Sequence, residues 1–293
     1  MKMKKLNKGL EDLSHLFLAH SENNSGRSIA PGVRLKPALK SICLIGNSVD
    51  SPDAFLTINL SLALARLGMK IAVVDLDEQL IYLKFFLGRD LSLQELSPEE
   101  LIKSGPLNLK LVALNNAVKH SLSAQNSTAE FLGLLKNLEH NLDLMFICIR
   151  GGDLSVIKQL IDAPIDEFLV MCSPDKNELL NVYKIIKMIF SHNFVAKIGL
   201  ISTNIAHMYE VDAVYNYLNR IVKKYLDREL YKYGFLFKLK QQESSKAHIN
   251  SFYDADLTAC ISNIAQIVVL RLNLPDNMHE RKSFFNYILG ENV

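Results

Sequence analysis

Short runs of consecutive apolar residues alternate along this chain with longer segments in which apolar residues recur at helical spacing. Ser41-Ile42-Cys43-Leu44-Ile45 is a run suited to a buried parallel strand, and Gly46 to Asp53 is a polar loop of Gly, Asn, Ser, Asp and Pro. Phe55, Ile58, Leu62, Ala65 and Leu67 then predict a helix, with Gly68 as its stop signal. Ile71-Ala72-Val73-Val74 is the next strand and ends in Asp75-Leu76-Asp77. The whole β-loop-α-β unit fits within about forty residues, enough for a parallel crossover. Alternating strands and helices continue from a strand at 109–114 through 194–204. Helical patterns cover 211–226 and 256–272. The alternation predicts an α/β fold, a mostly parallel sheet with helices on both faces.

Three segments follow from the same pattern: an N-terminal helix and linker over 1–37, the α/β domain over 38–275, and a tail over 276–293. In the first, Lys2, Lys4, Lys5 and Lys8 accompany Leu6, Leu10, Leu13, Leu16 and Phe17, which share a helical face, and a polar Ser/Asn/Gly linker follows. Such a helix can serve a partner or fold back on its own domain; both readings stay open. In the tail, Arg281 and Lys282 precede Phe284, Phe285, Ile288 and Leu289, which group on one helical face.

Composition narrows the function classes. A net charge of +2 is too small to argue for nucleic acid by itself. Arg220, Lys223, Lys224, Arg228 and Lys232 cluster in sequence, but Asp227 and Glu229 lie among them, so a solvated helix face is favoured over a DNA-binding one. Cys43, Cys148, Cys172 and Cys260 lack metal or redox spacing and read as reduced core thiols of a cytoplasmic protein. The histidines lack ligand spacing, and His207 reads as a loop residue. No apolar run is expected to reach the ~18 residues of a membrane span.

On these residues the chain resembles the MinD/ParA group of deviant-Walker P-loop ATPases, in particular the FlhG branch. That family reads K-G-G-V-G-K-T, then N-L-A, a helix, a glycine and a strand ending in D-x-D. Anchored on Asn59-Leu60-Ser61, the register places Ser48 to Ala54 on the phosphate loop without a gap and Asp75-Leu76-Asp77 on D-x-D. The 143–152 strand resembles Walker B. Residues 168–174 with 181–187 resemble the V-T-x-P and D-A-Y-x-x-I-K segment of the FlhG branch, and 199–204 resembles a strand that ends in asparagine near the base.

The departures from that pattern carry the functional expectation. A phosphate loop needs glycines so that backbone N–H groups can wrap the phosphates, a lysine to neutralise charge, and a hydroxyl for Mg²⁺. Here the signature lysine falls on Ser48, the glycines on Val49, Asp50 and Pro52, the Walker lysine on Asp53 and the magnesium hydroxyl on Ala54. Pro52 removes a donor. A carboxylate ~4 Å from a phosphate charge is repelled by about 4 kcal/mol at an effective dielectric of 20. The Walker B aspartate falls on Cys148. Asp75 and Asp77 are retained, and capping the strand end is favoured over a remnant catalytic role, because a general base has no work without a phosphoryl group.

The resemblance therefore implies a catalytically inactive relative with no cofactor and no metal, a spatial organiser or regulator. Expected partners are a protein, such as an active ATPase relative, and a second copy of the chain; nucleic acid is not expected. The tail is similar to the membrane-targeting tail of MinD and implies peripheral attachment to the inner face of the cytoplasmic membrane, with packing against the domain as the alternative. An active ATPase with an atypical loop and a DNA-bound partitioning factor remain as rival readings.

Overall fold

The computed structural model describes residues 39–46, 52–87, 98–239, 254–272 and 283–289. All of them belong to one compact unit, Ala38–Val293. Expectations for 1–37, for Ser48, Val49 and Asp50, and for Arg281 and Lys282 lie outside the described residues.

Eight strands form a single sheet in the order β3-β4-β2-β5-β1-β6-β7-β8. They are β1 (Lys40–Gly46), β2 (Ile71–Asp75), β3 (Ile102–Ser104), β4 (Lys110–Ala113), β5 (Leu144–Arg150), β6 (Glu167–Cys172), β7 (Ile198–Ile205) and β8 (Tyr231–Phe237). Only β3 runs antiparallel, against β4 at one edge. The central strands are buried along nearly their whole length, as a sheet covered on both faces requires. That burial explains why they read as unbroken apolar runs.

The helices are α1 (Asp53–Arg66), α2 (Ile81–Leu87), α3 (Asn116–Ala124), α4 (Thr128–Glu139), α5 (Leu154–Ile161), α6 (Lys176–His192), α7 (Met208–Leu226), α8 (Ala255–Leu272) and α9 (Phe284–Ile288). Right-handed crossovers place α1 on one face, where it packs on α8, and set α5, α6 and α7 side by side on the other. Gly68 closes α1 at φ +91°, a conformation glycine adopts without strain.

Two elements differ from the sequence reading. Helix α8 is long and apolar enough to cross a membrane by length and composition, which the run-length reading had not anticipated. In the structure it lies on β8 and α1, with Leu257, Cys260, Ile261, Ile264 and Val268 buried. Arg271 near its end is stacked 3.7 Å over the Tyr231 ring and donates from Nη2 to Glu167 Oε1 (2.9 Å), tying the helix to the start of β6.

The tail is the second. Phe284 and Phe285, expected on an outward apolar face, are 1% and 0% exposed, and Ile288 and Leu289 pack partly buried beside them. Their rings meet edge to face at 5.6 Å. Glu139 at the end of α4 accepts from Ser283 Oγ (2.5 Å) and from the Phe284 N–H (3.1 Å), and Tyr287 Oη donates to the Gln159 carbonyl (2.8 Å). In this conformation the aromatic pair faces protein, because two phenyl rings find a drier site between α4 and α5 than at the surface.

Phe285→Ala is expected to destabilise the protein by about 3–5 kcal/mol, the usual cost of deleting a buried ring. Urea denaturation checks this; an unshifted midpoint would mean that the tail is undocked in solution.

Candidate functional site

The chain direction of the connections reverses around β1. From β1 the chain crosses to β2 on one side, whereas from β5 and β6 it proceeds to the other. In open α/β sheets, a crevice at the carboxyl ends of strands flanking such a point is where ligands bind. Here Gly46 ends β1 directly beside Arg150, its register partner at the end of β5, while Asp75 at the end of β2 is paired with Cys148.

Asp53 is the first residue of α1 and is 1% exposed. Its carboxyl lies directly on the Gly46 backbone: a Cβ placed on Gly46 would fall 1.6 Å from Asp53 Oδ2. Only glycine permits that approach. The N-terminus of a helix is where orphan N–H groups and the macrodipole attract an anion. In this protein a carboxyl of the helix itself lies at that place. Burial pushes the Asp53 carboxyl well above the usual carboxylate range, the charge of Glu178 adds to the rise, and the Arg150 guanidinium opposes it. Pro52, buried before it, accepts the Leu56 N–H at 2.8 Å and so starts the helix; Ala54 is partly buried against the core.

Asp75 and Asp77 have different tasks. The Asp75 carboxyl accepts from the Leu83 N–H (2.9 Å) and the Asp77 N–H (3.1 Å), bracing the turn into α2. Burial nevertheless lifts it to about 7. Asp77 accepts from the Gln79 N–H (2.9 Å) and is gripped by Arg150, whose Nε contacts Oδ2 and whose Nη2 donates to Oδ1 at 3.1 Å. The fork geometry of this pair fills both carboxylate oxygens. Asn115 reaches the same turn, donating to the carbonyls of Asp77 (3.3 Å) and Glu78 (3.0 Å) while capping α3 through the Val118 N–H. Cys148, at the Walker B position, is fully buried, and burial raises its thiol far above the ordinary range.

The structure thus gathers Asp53, Asp75, Asp77 and Cys148 around the end of β1, as the register implied. Pro52 and Ala54 flank Asp53. Arg150 and Glu178 belong to the same group and were missed by the sequence reading. Arg150 falls two positions past Cys148 and reaches Asp77, 73 residues away in sequence, only through the pairing of β5 with β1 and β2. Glu178 was hidden, because it reaches the site only through the packing of α6, where it also accepts the Ser173 N–H at 3.0 Å. Its first turn carries the acid as an N-terminal helix charge would predict.

Elsewhere, two of the five clustered cations are neutralised, Lys223 by Glu229 at 2.6 Å and Lys232 by Asp212 at 2.5 Å. His207 precedes α7, and its backbone N–H is bound by Glu210 Oε2 at 3.1 Å, which fits a capping role.

No family model matches the chain. No curated protein matches it either. Solved structures do. MinD of Aquifex aeolicus, in its MinC:MinD cell division complex, superposes with a TM-score of 0.57 at 16% identity over 83% of this chain and 100% of that one. Cyanothece apo McdA gives 0.57 at 14% identity over 78% and 99%. A plasmid partition protein of Borrelia burgdorferi gives 0.54 at 15% identity over 80% and 99%. At such identity the likeness is one of fold: an eight-stranded, mostly parallel α/β sheet of the MinD/ParA ATPase kind.

Two tests follow from the geometry. Gly46→Ala is expected to destabilise by about 2 kcal/mol or more through collision with Asp53. Asp53→Ala in the same chain should recover part of that loss, a coupling read by a double-mutant cycle. The second concerns pH. Because the folded state holds the Asp75 proton more tightly than the unfolded state, its contribution is fully present below about pH 3.8 and is lost as pH rises through about 7. That contribution is about 4 kcal/mol. Asp75→Asn should therefore flatten the decline in urea stability between pH 4 and 7.5 relative to the parent; an unchanged slope would count against a protonated Asp75.

Proposed function

We propose that this chain is a non-hydrolysing, MinD/ParA-like protein of the FlhG type that acts by binding, as an organiser or regulator of a spatially localised machine. The single observation behind this reading is the Asp53 carboxyl lying on Gly46. A polyphosphate at the start of α1 would have to displace a buried acid and would meet carboxyls where the ATPase pattern has a lysine. Arg150, the cation of the site, is already engaged by both oxygens of Asp77. The described residues do not fit a magnesium nucleotide.

Partner binding is supported by a second feature. Between α6 and α7 runs a groove of about 460 Å³, with Leu179, Leu180, Tyr183, Val214, Tyr217 and Ile221 among its lining residues. Apolar grooves between parallel helices take the apolar face of another helix. We assign this surface to a protein partner, either an active ATPase relative or a second copy, with nucleic acid outside the expected partners. Its lining includes Lys176 and Leu179 of the helix that carries Glu178, so the partner face and the Asp53 site share α6.

Attachment at the inner face of the cytoplasmic membrane completes the reading. The tail residues Phe284, Phe285, Ile288 and Leu289 can contribute to it only after leaving the crevice between α4 and α5. Re-exposing two phenyl rings costs about 3–6 kcal/mol, so the docked form dominates until a partner or bilayer offsets that cost.

Thermal denaturation with Mg-ATP or Mg-ADP tests the central claim. A bound nucleotide at a hundredfold its dissociation constant would add about 2.7 kcal/mol of stability. The expected result is no shift and no phosphate release. A dose-dependent rise in the midpoint would sink the proposal in favour of an atypical active ATPase.

A further inference from the structure

The end of the domain opposite the Asp53 site has a character of its own. In a parallel sheet all strands begin at one edge, and the helices that return the chain finish there. Leu67 after α1, Phe194 and Val195 between α6 and β7, Tyr225 in the last turn of α7, and Leu270 in the last turn of α8 all lie at that edge by connectivity. Their exposures are 63, 70, 84, 64 and 67%. Large apolar residues scattered singly over a surface are ordinary, but these come from four separate connections and share one edge.

Cations accompany them. The Arg228 guanidinium lies 3.5 Å over the Phe194 ring, and the Lys224 ammonium lies 5.1 Å over the Tyr225 ring. Arg66 precedes Leu67, and Lys197 follows Val195 by two positions. Of the acids nearest in sequence, Glu229 is bound by Lys223 and Asp227 lies between Tyr225 and Arg228, while Asp143, Asp162 and Asp166 lie before β5 and β6 at the same end. Cations collect at this edge for a physical reason: helix C-termini carry the negative end of the macrodipole. The apolar tips have no such cause. Phe194 and Val195 hold no hydrogen-bonding side-chain atom and bury little within the domain.

We propose that this edge, with Phe194 and Val195 at its tip, is the surface that meets an anionic lipid bilayer. The inference rests on the membrane-association reading above and transfers the first contact from the docked tail to the strand-start edge. Phenyl and isopropyl groups enter the headgroup boundary, while Lys224 and Arg228 beside them meet lipid phosphate. The stacked guanidinium holds charge and ring together, so both reach the interface at once. The Asp53 site, at the other end of the strands, stays turned to the cytoplasm. A phosphate backbone of nucleic acid would use Lys224 and Arg228 but has no use for the apolar tip, which favours lipid.

The test is co-sedimentation of the full chain with phosphatidylglycerol/phosphatidylcholine vesicles. The parent protein should pellet with them, and Phe194→Ser/Val195→Ser should reduce the bound fraction about tenfold by removing the inserted apolar area. Lys224→Gln/Arg228→Gln should also reduce it and should lessen its dependence on salt. Both variants should keep the parental unfolding midpoint, since the side chains are exposed. If the parent pellets and the Phe194→Ser/Val195→Ser variant pellets equally, the edge is not the contact surface, although membrane association survives. If the parent fails to pellet, both ideas fall. Duplex DNA binding that is lost in Lys224→Gln/Arg228→Gln and kept in Phe194→Ser/Val195→Ser, without lipid binding, would assign the edge to nucleic acid and overturn the proposal.

Discussion

The contact between the Asp53 carboxyl and the Gly46 backbone constrains everything around it. A helix beginning just after a central parallel strand must satisfy its first N–H groups and the positive end of its dipole. In a phosphate-binding protein the ligand does this. Here an acid from the first turn lies against Gly46 and is sealed there, 1% exposed. The burial carries a charge problem, which the surroundings resolve in two ways. Desolvation holds Asp53 and Asp75 toward their protonated forms, and Arg150 takes the remaining nearby carboxylate, Asp77, in a two-pronged grip. Removing water from three carboxyls without such measures would cost several kcal/mol for each ion.

That arrangement divides the molecule along the strand direction. The carboxyl ends of β1, β2 and β5 converge on a polar cluster, while α6 also lines the apolar groove it forms with α7. The opposite edge carries exposed aromatic and aliphatic tips next to cations. Between them the sheet acts as a rigid spacer, closed at its margin by the Glu167–Arg271 pair and, on the α4–α5 side, by the two phenyl rings of α9.

Much of the domain could be read from the chain. β1, α1 and β2 occur where the apolar runs, helical spacing and Gly68 placed them, and the later strands follow the same logic, because a strand buried on both faces must be apolar at every position. Polar residues at those strand ends stood out for the same reason: Asp75 and Asp77 interrupt an otherwise dry sequence. Asp53 reads as the last residue of the polar loop and is instead the first residue of α1, while Cys148, read from the likeness of 143–152 to Walker B, lies in β5 beside β1.

What the chain could not disclose by itself depended on which surface each amphipathic face meets. Arg150 reads as an ordinary strand-end cation until the register sets it beside Gly46 and across from Asp77. Phe284 and Phe285 form the same apolar stripe whether they face lipid or protein; only the crevice between α4 and α5, with Glu139 at its mouth, decided for protein. Phe194 and Val195 look like core residues in the sequence and are solvent-facing in the fold. Periodicity and spacing are local and determine which elements form and in what order, whereas partner choice for a side chain is a contest between surfaces far apart in sequence, settled only when packing has fixed which of them lies within reach.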